Sequence, residues 1–201
     1  MSNRERRVLL LFAHPAVGRS RVNRALLEAA RALSRPPTIH DLYECYPDFD
    51  VDVAREQELL SEHDVIVCQH PFFWYSTPAL VKQWFDLVLE HGWAYGSEGR
   101  ALHGKTWVQA VSTGAPAAAY CSQGRNGHSI REFLAPVERT AGLCGMQYLP
   151  PFCVHGALGI SDEELAERAR DYAAVLEGLR TDRYDPRALA AAPCLTPEGA
   201  N

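Results

Sequence analysis

The chain has 201 residues, of which 47% are hydrophobic and 22% are charged, and its formal net charge is −5 at pH 7. This length and composition are typical of one globular domain with a substantial core. A pI near 5.9 and the lack of a basic stripe argue against nucleic acid as a partner. The apolar runs are too short to span a bilayer, and the basic N-terminal lead lacks a small-residue cleavage site, so we expect a cytoplasmic protein.

Strand and helix patterns alternate along the chain. Continuous apolar runs, which are typical of parallel strands covered on both faces, are separated by apolar residues at helical spacing. The predicted strands are residues 8–13, 38–42, 65–69, 106–112 and 146–149. The predicted helices are residues 21–33, 54–62, 79–91, 130–143 and 162–179. Pro136 predicts a kink within the fourth helix.

Five strands with intervening helices predict an α/β fold with a doubly wound, open parallel sheet and helices on both faces. We expect a single domain over residues 1–180 and a loose tail over residues 181–201. Ligands of such sheets bind beyond the carboxyl ends of the strands. The ends of the first, third and fourth strands carry unusual polar and aromatic residues, which meet at one crevice only if the sheet closes in the flavodoxin-like order 2-1-3-4-5.

The segment after the first strand, HPAVGRSRVN, combines hydrogen-bond donors with a helix N-terminus, but it has neither G-x-G-x-x-G nor a P-loop pattern. The free N–H groups and dipole of a helix N-terminus favour an anion. Ser20 and Asn23 add hydroxyl and amide donors, His14 adds an imidazole N–H, and Arg19 and Arg21 add positive charge. Each residue alone is explained as well by a cap or a turn, whereas together they predict a phosphate site.

Two further strand ends supply flat rings and backbone donors. After the third strand, the turn residues of HPFFWYSTP place some of its aromatic rings near the surface, where a planar heteroaromatic ligand can stack. After the fourth strand, Ser112 to Ala115 offer backbone N–H groups, and Gly114 permits close approach. A phosphate site, a ring surface and donors for a pyrimidine edge together describe a site for flavin mononucleotide (FMN).

The six cysteines never form a Cys-x-x-Cys pair, and several lie inside apolar segments. Free buried thiols therefore fit them better than a disulfide framework or a zinc site. Cys68 and His70 would face the same side of a strand, but two ligands make a weak case for a metal ion. We expect no metal site.

Several stretches resemble the flavodoxin-like NAD(P)H:quinone oxidoreductases, and within them the ancillary oxidoreductase subunits of bacterial glutathione-regulated potassium-efflux systems. The resemblance covers roughly residues 7 to 180. The segments that carry it are AHP at 13–15, S-x-x-N at 20–23, YPDFDVD at 46–52, QHPFFWYSTPALVKQWFD at 69–86, HGWAYG at 91–96, LHGK at 102–105 and CGMQYLPPF at 144–152.

The resemblance implies FMN as the cofactor, with FAD less favoured, and NAD(P)H and a quinone as substrates. The residues it places on the FMN phosphate are His14, Ser20, Arg21, Val22 and Asn23. Those along the isoalloxazine ring are Phe72, Phe73, Trp74 and Tyr75. Those at the family's T-T-G-G position are Ser112, Thr113, Gly114 and Ala115.

The resemblance also implies chemistry. We hypothesise that NAD(P)H delivers a hydride to flavin N5 and leaves, and that a quinone then takes the hydride from the same face, in a ping-pong sequence. Thr113 and Gly114 would stabilise the anionic reduced ring. Tyr120 fits the position of the family's tyrosine donor. His128 is a candidate proton donor, although Asn126 occupies the spacing of the family's histidine.

A pure electron-carrier flavodoxin fits less well, because such carriers are more acidic and the loops here are long. A flavin-bearing regulatory subunit stays open, since the resembled proteins activate a membrane potassium-efflux transporter, which would place the chain at the inner face of the plasma membrane. The resemblance further implies a two-fold homodimer with Trp93 or Tyr95 at or near the partner chain. The alternative is that both rings fold back onto the chain's own core.

Overall fold

A computed structural model describes residues 5–200, so residues 1–4 of the predicted domain and residue 201 of the predicted tail lie outside the described part. The main sheet contains β1 (Val8–Phe12), β2 (Thr38–Asp41), β3 (Val65–Pro71), β4 (Thr106–Ser112), β5 (Gln147–Tyr148) and β6 (Phe152–Val154). Its order is β2-β1-β3-β4-β5, with β6 also paired to β4, and every pair is parallel. The predicted doubly wound sheet and its order are confirmed.

The fifth position of the sheet is occupied by two short strands. Pro150 and Pro151 have no N–H to donate, so they interrupt the ladder after β5. The chain then resumes pairing farther along β4, where Phe152 lies opposite Ala110. The sequence analysis missed β6, and this strand carries residues 155–158 to the carboxyl edge of the sheet.

Helices cover both faces of the sheet. They are α1 (Arg21–Arg31), α2 (Leu42–Cys45), α3 (Val53–Glu62), α4 (Ala79–Val88), α5 (Ile130–Phe133), α6 (Ala135–Leu143) and α7 (Asp162–Arg180). Alternate residues of β1 face opposite sides: Leu10 and Phe12 join the core under α1 and α7, whereas Leu9 and Leu11 join the core under α4 and α6. The predicted kink at Pro136 is a full break between α5 and α6, where Leu134 leaves the helix.

The C-terminal segment packs onto the domain instead of forming the expected loose tail. Leu189, Ala192 and Leu195 are buried in the core under α1 and α7. The Leu195 N–H donates to the Pro151 carbonyl at 2.9 Å, so the segment is also fixed to the chain before β6. It ends in an antiparallel pair of β7 (Leu195–Thr196) and β8 (Gly199–Ala200). Its many alanine and proline residues form no periodic strand or helix pattern, so the sequence analysis did not predict its packing. Contacts with the rest of the domain hold the segment in place.

A buried carboxylate ties three elements together beneath the sheet. Glu56 of α3 has no exposed surface, and it accepts hydrogen bonds from His40 Nε2 at 2.6 Å, Tyr46 Oη at 2.6 Å and Trp84 Nε1 at 2.8 Å. Burial raises the pKa of Glu56, but the hydrogen bonds from His40, Tyr46 and Trp84 outweigh it and hold the pKa below its usual value. The carboxylate is therefore charged and fully used as an acceptor.

We expect Glu56→Gln to lower the free energy of unfolding by about 2–4 kcal/mol. The neutral amide weakens three charge-assisted bonds and turns an NH₂ group toward a donor. Urea denaturation measures the change. Glu58→Gln, at an exposed position of the same helix, should change the free energy by less than about 0.5 kcal/mol. Equal effects of the two substitutions would contradict the role of Glu56.

A second buried polar chain crosses the middle of the sheet. His70 Nδ1 donates to the Pro71 carbonyl at 3.0 Å, and His70 Nε2 accepts from Gln109 Nε2 at 3.1 Å. Tyr148 Oη in turn donates to Gln109 Oε1 at 3.0 Å. Burial lowers the pKa of His70 to about 4. The imidazole is therefore neutral, and its tautomer is fixed by its two partners.

The His70 pKa predicts a loss of stability in mild acid. Below about pH 6.5 the unfolded chain binds a proton at this histidine, but the folded chain does not until about pH 4. The free energy of unfolding should therefore fall as the pH drops from 6.5 to 4, by up to about 1 kcal/mol per pH unit from this group. Urea titrations at several pH values measure the slope. His70→Asn should flatten it, and an unchanged slope would contradict the assignment.

Candidate functional site

Three strand ends meet at one cleft. The cleft has a volume of about 660 Å³ and lies beyond the carboxyl ends of β1, β3 and β4, beside the N-terminus of α1. The predicted site residues that line it are His14, Ser20, Arg21, Val22, Asn23, Phe72, Phe73, Ser112, Thr113 and Gly114. Ala157 and Leu158, which follow β6, close one side. The sequence analysis predicted neither β6 nor the presence of these two residues at the cleft.

The N-terminus of α1 presents free backbone donors to this cleft. Ser20 is the N-cap, and its Oγ accepts the Asn23 N–H at 3.2 Å. Within residues 5–200, the N–H groups of Arg21 and Val22 have no acceptor. Unpaired N–H groups and the positive end of the helix dipole make this position suited to an anion.

The Asn23 side chain joins the helix N-terminus to the end of β4. It is almost fully buried, and its Nδ2 donates to Ser20 Oγ at 3.1 Å and to Ser112 Oγ at 2.7 Å. Both amide protons are thus used inside the protein, which corrects the expectation that Asn23 itself donates to a phosphate. Because each serine oxygen accepts from Asn23, the two hydroxyl protons are free for another acceptor.

His14 supplies one more donor at this end of the cleft. Its Nδ1 accepts the Ala16 N–H at 3.0 Å, so the proton of the neutral ring is on Nε2. Burial lowers the pKa of His14, which favours this neutral form. The edge of the ring packs against Phe73, with 5.9 Å between centroids.

Positive charge at the cleft comes from Arg19 and not from Arg21. Arg19 is exposed and forms no ion pair among the described residues. The Arg21 guanidinium pairs with Asp162 at the start of α7 and donates to the Ile160 carbonyl, so its charge is already compensated. Among residues 5–200, no acidic side chain lines the cleft. The groups around the N-terminus of α1 are therefore mostly donors, and a bound anion would satisfy them.

The aromatic segment forms a strained turn at the mouth of the cleft. Phe73 and Ser76 exchange backbone hydrogen bonds of 3.1 and 3.0 Å, and Trp74 and Tyr75 between them have φ values of 51° and 64°. Positive φ at both central residues is typical of a type I′ turn, which normally carries Asn or Gly. Each left-handed aromatic residue costs roughly 1 kcal/mol or more. Trp74 is nevertheless 93% exposed, so packing does not explain this conformation.

Phe72 differs from the other three rings, because it is buried against Val111, Ile130 and Leu134. It borders both the main cleft and an adjacent smaller cavity of about 210 Å³. The smaller cavity is lined by Phe72, Trp74, Tyr75, Ala115, Tyr120, Arg125 and Asn126. The predicted ring surface therefore divides into a buried wall, Phe72, and an exposed turn.

Tyr120 and His128 have different surroundings. The Tyr120 ring lies 5.9 Å from that of Phe72 and lines the smaller cavity, and among residues 5–200 its hydroxyl has no hydrogen-bond partner. Asn126 lines the same cavity. His128 lines neither cavity; its exposed side chain lies 3.7 Å from the Glu132 carboxylate. The structure thus does not bring His128 to the site, because the loop turns its side chain toward α5.

Thr113 is also not available as a donor. Its N–H donates to the Val154 carbonyl at 2.9 Å, and its hydroxyl donates to the Ala115 carbonyl at 2.8 Å. Within the described chain, the N–H groups of Gly114 and Ala115 have no acceptor. A Cβ at Gly114 would meet only Leu158, at 3.6 Å. The chain's own packing therefore leaves space beside Gly114 for a ligand.

Known proteins share this fold and much of this sequence. A family model described as flavodoxin-like fold matches residues 6–176. The glutathione-regulated potassium-efflux system ancillary protein KefG of Pectobacterium carotovorum is 46% identical over 166 residues, which are 83% of this chain and 90% of that protein.

Solved structures agree with this match. General stress protein 14 of Treponema denticola, solved in complex with FMN, is 44% identical with a TM-score of 0.81, over 86% of this chain and 99% of that one. An NADPH-quinone reductase from P. pentosaceus is 30% identical with a TM-score of 0.74, over 84% and 96% of the two chains. The chain belongs to the flavodoxin-like family of NAD(P)H:quinone oxidoreductases and potassium-efflux ancillary proteins that its sequence segments resemble.

Proposed function

We propose that this protein binds FMN in the cleft and acts as an NAD(P)H:quinone oxidoreductase. The observation that carries the proposal is the donor-rich end of the cleft, which, within the described chain, has free N–H and O–H groups, an unpaired arginine and no acidic side chain. It adjoins a strained, exposed aromatic turn and a tyrosine with a free hydroxyl.

The residues at the donor-rich end fit the phosphate of FMN. The N–H groups of Arg21 and Val22, the hydroxyls of Ser20 and Ser112, and His14 Nε2 would hold its oxygens, and Arg19 would add charge. Asn23 Oδ1 is buried and has no partner among residues 5–200. A buried acceptor without a partner is costly, and a ligand hydroxyl such as those of the FMN ribityl chain would satisfy it.

The other end of the cleft fits a flat ring. Phe73 and the turn of Trp74 and Tyr75 would contact its face, and the N–H groups of Gly114 and Ala115 would stabilise negative charge at its polar edge. When bound, FMN supplies the chemistry of accepting a hydride from NAD(P)H and passing two electrons to a quinone. Tyr120 Oη would donate a hydrogen bond to a quinone carbonyl in the smaller cavity. Because both substrates would use one site, ping-pong kinetics are expected.

The relatives support the cofactor and the reaction class. The Treponema denticola protein is described in complex with FMN, and the P. pentosaceus protein is named an NADPH-quinone reductase. The name of KefG favours a second role, as an ancillary subunit of a glutathione-regulated potassium-efflux transporter. The two roles are compatible, and the second would place the chain peripherally at the inner face of the plasma membrane. Quinone reduction by the isolated protein separates an enzyme from a silent flavin-bearing regulator.

A two-fold homodimer stays a prediction. The rings of Trp93 and Tyr95 pack partly against the core under α4 and α6, as the alternative interpretation of this segment expects. Tyr95 also lines an apolar groove of about 380 Å³ together with Phe85 and the exposed Leu143. We propose a second copy of the chain as the occupant of this groove.

Within residues 5–200, no helix combines the length and apolar character that crossing a membrane requires.

The phosphate assignment predicts that Arg19→Ala weakens FMN binding by about fivefold, because one exposed charge contributes about 1 kcal/mol. The loss should shrink at high salt, since the side chain is solvent-exposed. Quenching of flavin fluorescence during titration measures the affinity. Arg31→Ala is the matched control, since Arg31 is exposed at the other end of the same helix. Equal affinities of the two variants would place the phosphate elsewhere.

The turn assignment predicts a trade-off between stability and binding. Trp74→Asn should raise the free energy of unfolding by roughly 0.5–1 kcal/mol, because Asn tolerates positive φ. It should also weaken FMN binding, because a ring contact is lost. Tyr75→Asn should stabilise less, because the Tyr75 ring packs 5.2 Å from that of Phe133. Thermal unfolding and FMN titration measure both effects, and unchanged FMN affinity in both variants would remove the turn from the site.

A further inference from the structure

A group of three metal-ligating side chains lies next to the cleft, at residues to which the proposed function gives no role. Cys153, His155 and Cys194 each bring one potential ligand atom to within 4.8 Å of the others, and all three are partly buried. Among residues 5–200 this is the one group of at least three His, Cys, Asp or Glu side chains with such geometry. The sequence analysis expected no metal site. Cys153 and His155 are only two residues apart, but Cys194 joins them through the fold and not through any motif.

Main-chain pairing holds the three residues together. Cys153 lies opposite Val111 in the parallel pair of β6 and β4, and His155 follows two residues later, so both side chains leave the same side of the extended chain. The hydrogen bond from the Leu195 N–H to the Pro151 carbonyl places Cys194 alongside this strand. The packed C-terminal segment therefore supplies the third ligand.

The protonation of His155 suits a metal ligand. The Thr113 hydroxyl gives its proton to the Ala115 carbonyl, so Thr113 Oγ1 must accept from His155 Nδ1, 2.9 Å away. The proton is then on Nδ1, and Nε2 keeps its lone pair. A metal-binding histidine usually donates its second ring N–H to an oxygen in this way, which fixes its tautomer.

The ligand set indicates the class of ion. Two thiolates and an imidazole favour Zn²⁺ over hard cations, which take oxygen ligands. Bond lengths of about 2.3 Å to sulfur and 2.0–2.1 Å to nitrogen require tetrahedral ligands about 3.5–3.8 Å apart. Ligand atoms that lie within 4.8 Å of one another must therefore approach by up to about 1 Å to bind one ion, which calls for small rotations of the side chains.

We propose that Cys153, His155 and Cys194 form a three-ligand site for Zn²⁺, with the fourth position open to water or another small ligand. Binding replaces two S–H bonds by two metal–sulfur bonds and releases two protons to solvent. The ion would link the C-terminal segment to β6. It would also hold His155 against Thr113, directly behind the N–H groups of Gly114 and Ala115.

The test uses the reduced full-length chain, stripped of metal by a chelator, with Co²⁺ as the spectroscopic probe. The difference spectrum with and without Co²⁺ should show sulfur-to-cobalt charge transfer in the near ultraviolet, saturating at one ion per chain and abolished by Zn²⁺. Cys194→Ser should weaken binding by roughly a hundredfold. Cys121→Ser, at an exposed cysteine outside the group, should leave it unchanged. Circular dichroism checks that both variants are folded.

Three results would overturn the proposal. The first is the absence of charge transfer in the reduced wild-type chain. The second is the same absorption and affinity in folded Cys194→Ser, which would locate the ion elsewhere. The third is a reduced chain that binds no Co²⁺ but forms a Cys153–Cys194 disulfide in air, identified by peptide mass. That result would make the pair a redox site and not a metal site.

Discussion

The bond from Asn23 to Ser20 and Ser112 is the contact on which the cleft depends. It connects the first turn of α1 to the last residue of β4, two segments that β3 would otherwise separate. Its amide uses both protons internally, and the two serine hydroxyls keep theirs for a ligand. The backbone carbonyl of Asn23 accepts from Gln69 Nε2 at 2.9 Å, so the middle strand fixes the same residue. One buried amide thus sets both the position and the donor character of the anion end.

The features of the cleft that suit a ligand also destabilise the protein when no ligand is bound. These features all lie around the same two cavities. They are the left-handed backbone of Trp74 and Tyr75 and, among residues 5–200, the Asn23 Oδ1 without a partner and the N–H groups without acceptors. Strain and unsatisfied polar groups persist where the surrounding structure over-determines them. By contrast, in the Glu56 and His70 networks the buried polar groups are satisfied by hydrogen bonds within the protein.

The sheet was predictable from the sequence because its determinants are local. Buried parallel strands read as apolar runs, and the helix starts carry caps such as Ser20, so the elements and the three strand ends follow from the sequence. The strand order came from the resemblance to flavodoxin-like proteins. The segment with two prolines misled the prediction, because β6 is short and is defined only by its pairing with β4. The packed tail was missed for the same reason. Neither segment has a periodic pattern of its own.

The chemistry of individual site residues was less predictable than their location. The sequence predicted that Asn23, Thr113 and Arg21 lie at the cleft. It could not show that their donors already have acceptors within the protein. Asn23 donates to Ser20 and Ser112, Thr113 donates to Val154 and Ala115, and Arg21 donates to Asp162. Such partners come from distant parts of the chain. The histidine that packs against Tyr120 is His155, with ring centroids 5.4 Å apart, and no motif in the sequence singled it out.

The central claim is that the cleft holds a flavin that exchanges electrons with a nicotinamide and a quinone. The most direct measurement is an anaerobic titration of the purified chain after incubation with FMN and removal of free flavin. The account predicts a bound flavin whose visible absorption is bleached by NADH or NADPH and restored by a quinone. A chain that emerges colourless, or whose bound flavin is unaffected by either nicotinamide, would contradict it.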